Sequence, residues 1–393
     1  MADVYRIFGA ELSPYSVKVR SYFRYKRIPH EWIVRTVQNQ AEFECHAKLP
    51  LIPLVIAPDG TAMQDSTPII ERMESLHPEP SIHPDDPALA FISALIEEYA
   101  DEWGNKPMFH YRWFYEPDQE SGAERLASSM NPEATGDLLT GIRDAVKGRM
   151  IPRLAFVGSS PATKDQIEGS FRRQLEILQR HLDRRVFLFG GRPAFGDFGL
   201  FAQLYECFTD PTPGAIMRAQ APRVVAWIER MLDPAASGGW ERWNDLEATL
   251  LPLLRDEIAA VFLPWSAANA RALGAGAKEF TVDIGGKPFT QETQKYHAKS
   301  LAALRARYVA VADRGTLDPV LERAGCRTWL SGGSCRRTSP SSAPPLRPTG
   351  MRSSACWWRS SASTPSTRPK PTSRARSMRS CCGRDARDSW WPS

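Results

Sequence analysis

Residues 13–26 read SPYSVKVRSYFRYK, and residues 52–70 read IPLVIAPDGTAMQDSTPII. In the first stretch a Ser-Pro pair stands where a strand-like run, 4–8, gives way to an amphipathic helix over about 16–26. Serine is a preferred helix cap and proline a preferred first helical residue. Unpaired backbone N–H groups therefore gather there, and the helix end favours an anion such as a thiolate. The second stretch places Pro53 inside a β run, follows it with a Pro58-Asp59-Gly60 turn, and opens a helix at Asp65-Ser66. With 31–35 as a further strand, residues 1–77 run βαβ and then ββα.

Composition narrows the function classes. The chain has 393 residues, enough for two or three domains. Its net charge of +5 hides an uneven distribution: residues 331–393 hold 12 Arg/Lys against 2 Asp/Glu, and the first 330 hold 38 against 43. The mildly acidic main part gives no footing for nucleic acid. Four of the seven cysteines (Cys335, Cys356, Cys381, Cys382) lie in the basic tail, and Cys45, Cys207 and Cys326 are too scattered for a disulfide framework or a zinc pattern. No His-Glu-x-x-His or other paired histidine spacing occurs, so no metal is expected. The start, MADVYRIFGAEL, lacks the basic-then-apolar pattern of a secretion signal. No apolar stretch approaches the ~20 residues of a membrane span, so the expected compartment is the cytoplasm.

The organisation beyond residue 77 is mostly helical. A proline-rich linker, PEPSIHPDDP, covers 78–87. Helical spacing then holds over 88–263, for example Ile167, Phe171, Leu175, Leu178 and Leu182. Residues 264–330 form an appended segment, with KEFTVDIGGKPFTQET (278–293) read as a hairpin and a helix expected over 292–312. The tail, 331–393, is aperiodic and rich in Ser, Arg and Pro, and is expected to be disordered. Two origins stand open for it: an out-of-frame or read-through extension, or a basic interaction arm.

The two opening stretches resemble the glutathione-binding half of a glutathione S-transferase. FLFGGRPAFGDFGLFAQL (187–204) looks like the entry to the central helix of that family's second domain. The resemblance covers about residues 3–330 and implies a thioredoxin-like α/β domain followed by an all-α domain. It implies glutathione as co-substrate, a small apolar electrophile as partner, and a homodimer. Ser13 would contact the glutathione sulfur as in serine-type members; Ser16 and Tyr5 are the other candidate hydroxyls, and a plain cap explains Ser13 equally well. With Ser13 and Ser16 where redox relatives carry Cys-x-x-Cys, no thiol is placed to form a mixed disulfide.

Pro53 matches the family's cis-proline, and Ile52 before it would pair its backbone with the cysteinyl part of glutathione. Asp65 and Ser66 match the acidic-Ser pair that holds the γ-glutamyl end, although capping alone also accounts for Ser66. The usual Gly-Lys before that proline is replaced by Pro50-Leu51, leaving Gln38, Gln40 and Lys48 as substitutes for the lysine. The customary Ser/Thr cap before Asp197 is Ala194. In YADEWGNKPMFHYRWFYEP (99–117), Trp103, Phe109, Tyr111 and Trp113 are candidates for an apolar acceptor-substrate wall and His110 for a further substrate contact, with an inter-domain aromatic core as the other reading. The expected function is a glutathione transferase. The alternatives are a non-catalytic binding or assembly module on the same fold, and a peroxidase or dehalogenase on this scaffold.

Overall fold

A computed structural model describes residues 4–332. Strand β1 (Tyr5–Gly9) is followed by α1 (Pro14–Tyr25), β2 (His30–Val34), α2 (Gln40–His46), β3 (Leu54–Ile56), β4 (Ala62–Gln64) and α3 (Ser66–Leu76). The sheet order is β2-β1-β3-β4, with β1 parallel to β2 and the other pairs antiparallel. The parallel pair needs a crossover, and the amphipathic α1 supplies it. Alternation along the strands divides the side chains. Tyr5, Ile7 and Val55 join the large core that runs into the helical domain, while Phe8, Leu54 and Ile56 form a second cluster with Phe43 of α2. The β3–β4 turn is built as the sequence suggests: Gly60 takes φ +85° and the Thr61 N–H donates to Asp59 Oδ1 at 2.8 Å. The one element the sequence reading lacked here is α2.

The second part opens with α4 (Pro87–Tyr99), a wide π-type turn over Ala100–Gly104, and α5 (Asn105–Phe114). Then come α6 (Glu116–Met130), α7 (Gly136–Met150), α8 (Lys164–His181), α9 (Phe195–Thr209), α10 (Pro211–Gln220), α11 (Pro222–Met231) and α12 (Trp243–Pro252). Helix α9 is buried along nearly its whole length. A Cβ on Gly196 would sit 2.9 Å from the Ser93 carbonyl oxygen, so glycine there allows α4 its close approach. With Ala194 unable to cap α9, Asp197 ties its own helix down. Its Oδ2 accepts from the Ala194 N–H, and its Oδ1 accepts from the Leu188 N–H and from Trp227 Nε1.

Helical backbone runs through residue 263 without a break: a wide segment, Leu253–Phe262, leads into α13 (Leu263–Gly274). The hairpin follows as β5 (Glu279–Ile284) and β6 (Lys287–Glu292), turning on Gly285 and Gly286, both at positive φ. Helices α14 (Lys295–Ala310), α15 (Leu317–Ala324) and α16 (Arg327–Leu330) complete the described chain. The expected disorder of the tail concerns residues that lie, from 333 on, outside the described ones.

His181 ends α8 with its ring fully buried, Nε2 2.8 Å from the Leu188 carbonyl oxygen and Nδ1 2.8 Å from Thr249 Oγ1. Burial pushes its pKa down to about 4, against the partial support of the Leu188 carbonyl. Because the folded value lies below the unfolded one (~6.5), the unfolded chain protonates first on acidification. This stability contribution is intact above pH ~6.5 and falls away toward pH 4, by up to about 3 kcal/mol. Urea unfolding at pH 7 and 4.5 should show a shallower pH dependence for His181→Gln than for wild type. Equal dependence in the two proteins would remove His181 from the acid response.

Candidate functional site

A cleft of about 700 Å³ lies where the α/β part meets the helical part and the appended segment. One wall is Ile52-Pro53, whose peptide bond is cis, with Leu49, Leu51 and Met63 beside it. The floor is the start of α3. Asp65 precedes that helix at φ +76°, a conformation uncommon for a residue with a side chain and costing on the order of 1–3 kcal/mol. Ser66 opens the helix, is 2% exposed and lines the cleft, so the N-terminus of α3 faces it. The pocket therefore joins a carboxylate, a hydroxyl and a helix N-terminus at one end, and the apolar wall at the other.

The acidic end extends into the helical domain. Asp101 and Glu102 reach the cleft from the π-type turn between α4 and α5, a kind of helix irregularity frequent at functional sites. Beneath them lies Lys18 of α1, fully buried. Its Nζ contacts Glu97, Asp101 Oδ2 at 2.7 Å and Thr67 Oγ1 at 3.2 Å, so one ammonium binds α1, α3 and the helical domain together. Burial pulls the Lys18 pKa down, but Asp101 and Glu97 more than offset it and hold it above its ordinary value. Burial pushes Glu97 up to about 7 against the pull of Lys18, and raises Asp101 for the same reason. Asp101 Oδ1 is buried without a hydrogen-bond partner among the described residues. His46 and Lys48 contribute basic groups elsewhere in the lining.

Several residues named from the sequence meet here: Ile52, Pro53, Asp65, Ser66 and Lys48. Ser13 caps α1; its Oγ accepts from the Ser16 N–H at 3.3 Å and from Ser16 Oγ at 3.0 Å. It is not itself among the lining residues, whereas Tyr15, two positions on, is. Tyr15 donates its hydroxyl proton to the Asp101 carbonyl oxygen at 3.1 Å. Ser16 is fully buried and turned into the helix cap. Tyr5 is a correction: its ring packs edge-on against Phe23 in the core, 5.6 Å between centroids, because that face of β1 points at α1. Gln38 is exposed and lines no part of the cleft.

The aromatic run is the larger correction. Trp103 is fully buried, donates Nε1 to Ser170 Oγ, and packs on Trp265 and Phe289. The appended hairpin covers it, and so removes it from any substrate wall. Between the same rings sits Lys106, its Nζ 4.1 Å from the Trp265 ring centroid and bonded to Gln291 Oε1 and the Val157 carbonyl. Tyr111 and Trp113 are likewise about 1% exposed, each in a core cluster. His110 is buried between Ser159 Oγ (2.7 Å) and Glu168 Oε1 (3.2 Å), and burial pushes its pKa down. Ser159 is only 5% exposed, so this Ser-His-Glu trio ties packed elements together and offers no accessible nucleophile.

The sequence reading missed Gln64, Tyr15 and Tyr296. Gln64 staples the 48–51 loop to β4 by accepting from the Lys48 and Leu49 N–H groups and donating to the Leu49 and Leu51 carbonyls. Tyr15 and Gln64 lie inside the two quoted stretches, 13–26 and 52–70. Tyr296 had no local signal at all.

Comparison with known proteins decides what this arrangement belongs to. Residues 7–81 match the model of the glutathione S-transferase N-terminal domain, and residues 161–230 that of the C-terminal domain. The chain carries both domains of the glutathione S-transferase family, the N-terminal and the C-terminal. It is accordingly a transferase, with the thioredoxin-like plus all-α architecture of the family. Among curated proteins the transferase is similar to the isoprene-epoxide–glutathione S-transferase of Rhodococcus sp. strain AD45, 25% identical over 228 residues, which are 56% of this chain and 92% of that one. Among solved structures it is similar to a glutathione S-transferase from Methylobacterium radiotolerans in complex with glutathione sulfonate (24% identical, 61% of this chain and 99% of that one, TM-score 0.40). Another is a β-etherase from Sphingobium sp. strain SYK-6 (16% identical, 59% and 95%, TM-score 0.42). No helix among the described residues is long and apolar enough to cross a membrane. Among those residues no group of three or more His, Cys, Asp and Glu is arranged to hold a metal ion.

Proposed function

We propose that this transferase binds glutathione along the cleft, with the γ-glutamyl end at Asp65-Ser66 and the cysteinyl backbone on Ile52 before the cis Pro53. The thiolate would then attack a small apolar electrophile. The observation that carries this reading is the convergence of Asp65, Ser66 and the cis Ile52-Pro53 bond on one cleft. An ammonium suits the Asp65 carboxylate, and a carboxylate suits Ser66 and the α3 N-terminus. Ser13 is the hydroxyl assigned to the sulfur: its oxygen already accepts two bonds from Ser16, which leaves its own proton to donate.

Leu49, Leu51 and Met63 give the cleft apolar surface, and the name of the Rhodococcus relative points to small epoxides as the electrophile class. In that reaction the sulfur–carbon bond forms as the ring carbon–oxygen bond breaks, and the alkoxide takes a proton from water.

The test is calorimetric titration of the full chain with glutathione, followed by addition of a small alkyl epoxide and mass analysis of the product. Asp65→Ala should weaken glutathione binding by about 1.5–3 kcal/mol, the worth of a hydrogen bond to a charged group. Unchanged affinity with the fold intact would reduce Asp65-Ser66 to a helix start. Glutathione binding without any conjugate would favour the binding-module alternative.

A further inference from the structure

The acidic end of the cleft is closed by a residue that neither matched family segment contains. Tyr296, at the start of α14, stands 231 positions from Asp65, yet its hydroxyl lies 3.2 Å from Asp65 Oδ2 and 3.5 Å from Oδ1. It also lines the cleft. Tyr296 is 56% exposed, so core burial does not explain its placement. The helix behind it is firmly seated. Just before it, Asn269 Nδ2 donates to the Gln294 carbonyl while the Gln294 N–H donates to Asn269 Oδ1. His297 pairs with Glu102, Arg307 pairs with Glu71, and Leu301, Leu304 and Tyr308 are buried. Two of these ties, Tyr296 to Asp65 and His297 to Glu102, end on carboxylates of the cleft itself.

Although much of the Tyr296 side chain is exposed, desolvation of its hydroxyl end at the cleft raises the phenol pKa, and Asp65, Glu102 and Asp101 raise it further, so the hydroxyl stays a donor. A carboxylate has about four acceptor positions. Tyr296 and the Thr67 N–H each bond the Asp65 carboxylate, and the remaining positions are left for a donor in the cleft. Asp101, close enough for Asp65 to raise its proton affinity, carries the buried Oδ1 that lacks a partner. With Lys18 on the other oxygen of Asp101 and His297 on Glu102, the acceptors left at this end are Asp101 Oδ1 and part of the Asp65 carboxylate.

We propose that α14 closes the amine end of the cleft and that Tyr296 is a positioning residue, holding the Asp65 carboxylate toward the γ-glutamyl ammonium of bound glutathione. The inference rests on the glutathione reading given above. Its test compares two ligands on the full chain: glutathione, and glutaryl-cysteinylglycine, which is glutathione without the γ-glutamyl amino group. Tyr296→Phe should weaken glutathione binding about five- to tenfold, what one net hydrogen bond supplies. Binding of the amine-free analogue should change less than about twofold. In turnover the KM for glutathione should rise with kcat unchanged, since the reacting sulfur is at the other end.

Equal weakening of both ligands would overturn the proposal and make Tyr296 a general support. Unchanged or tighter glutathione binding in Tyr296→Phe would overturn it too, the second outcome marking Tyr296 as a competitor for Asp65. If the wild type binds neither ligand, the glutathione reading fails and takes this one with it. That result differs from the loss of Tyr296's role alone.

Discussion

Ser13→Ala should lower the rate of conjugation at pH 7 by roughly ten- to a hundredfold, with partial recovery as pH rises. A thiol of pKa about 8.5 is only a few per cent ionised at neutral pH. Bringing it to about 6.5 requires ~2.7 kcal/mol of preference for the anion. The N-terminus of α1 supplies about 0.3–1 kcal/mol, up to ~2 when partly buried. One hydroxyl bond to a charged group adds ~1.5–3 kcal/mol. Both contributions are needed, and removing the hydroxyl leaves the weaker one. The sulfur's pKa then rises, less thiolate exists at pH 7, and alkaline pH restores it. Ser16→Ala should cost far less, because Ser16 only donates to the Ser13 oxygen. A rate that is unchanged in Ser13→Ala across pH 6–9 would contradict the assignment.

Lys18→Met should destabilise the folded chain by about 3–5 kcal/mol, the range for removing one partner from a buried ion pair. Lys18 and Glu97 are at most 3% exposed, and Asp101 is largely buried as well. Without the ammonium, two carboxylates face each other beneath the cleft and one must take up a proton. Glu97 already sits at about 7 with Lys18 present. Its folded pKa lies above the unfolded value, so the stabilising protonated form is lost as pH rises through it. The deficit of Lys18→Met should therefore be larger at pH 8 than at pH 5 in denaturant unfolding. A loss under about 1 kcal/mol, or one independent of pH, would show that the trio is not what joins α1 to the helical domain.

The thioredoxin-like part was legible because its signals are local. Ser13-Pro14 starts a helix, Pro58-Asp59-Gly60 makes a turn, and the strand-like run 4–8 becomes β1. Pro53, after a cis peptide bond, and Asp65-Ser66 all line the cleft. What failed was long-range. Trp103, Tyr111 and Trp113 look the same in sequence whether a pocket or a core surrounds them. The hairpin that buries Trp103 comes about 180 residues later, with Phe289 on its second strand. Tyr296 reaches Asp65 for the same reason: a tertiary contact of an appended helix, with no spacing rule to announce it. Asp101 and Glu102 were visible as charges, but only the π-type turn after α4 aims them at the cleft.

The most direct measurement of the central claim is an ultraviolet thiolate titration of the glutathione complex for wild type, Ser13→Ala and Tyr15→Phe. In the wild type the bound thiol should titrate near 6.5, about two units below the free value. Ser13→Ala should raise it by about 1–2 units, at 1.36 kcal/mol per unit, with glutathione affinity much less affected. Tyr15→Phe should leave it in place, because that hydroxyl is committed to the Asp101 carbonyl. A bound thiol that titrates like free glutathione, or one that shifts with Tyr15→Phe and not with Ser13→Ala, would contradict the account.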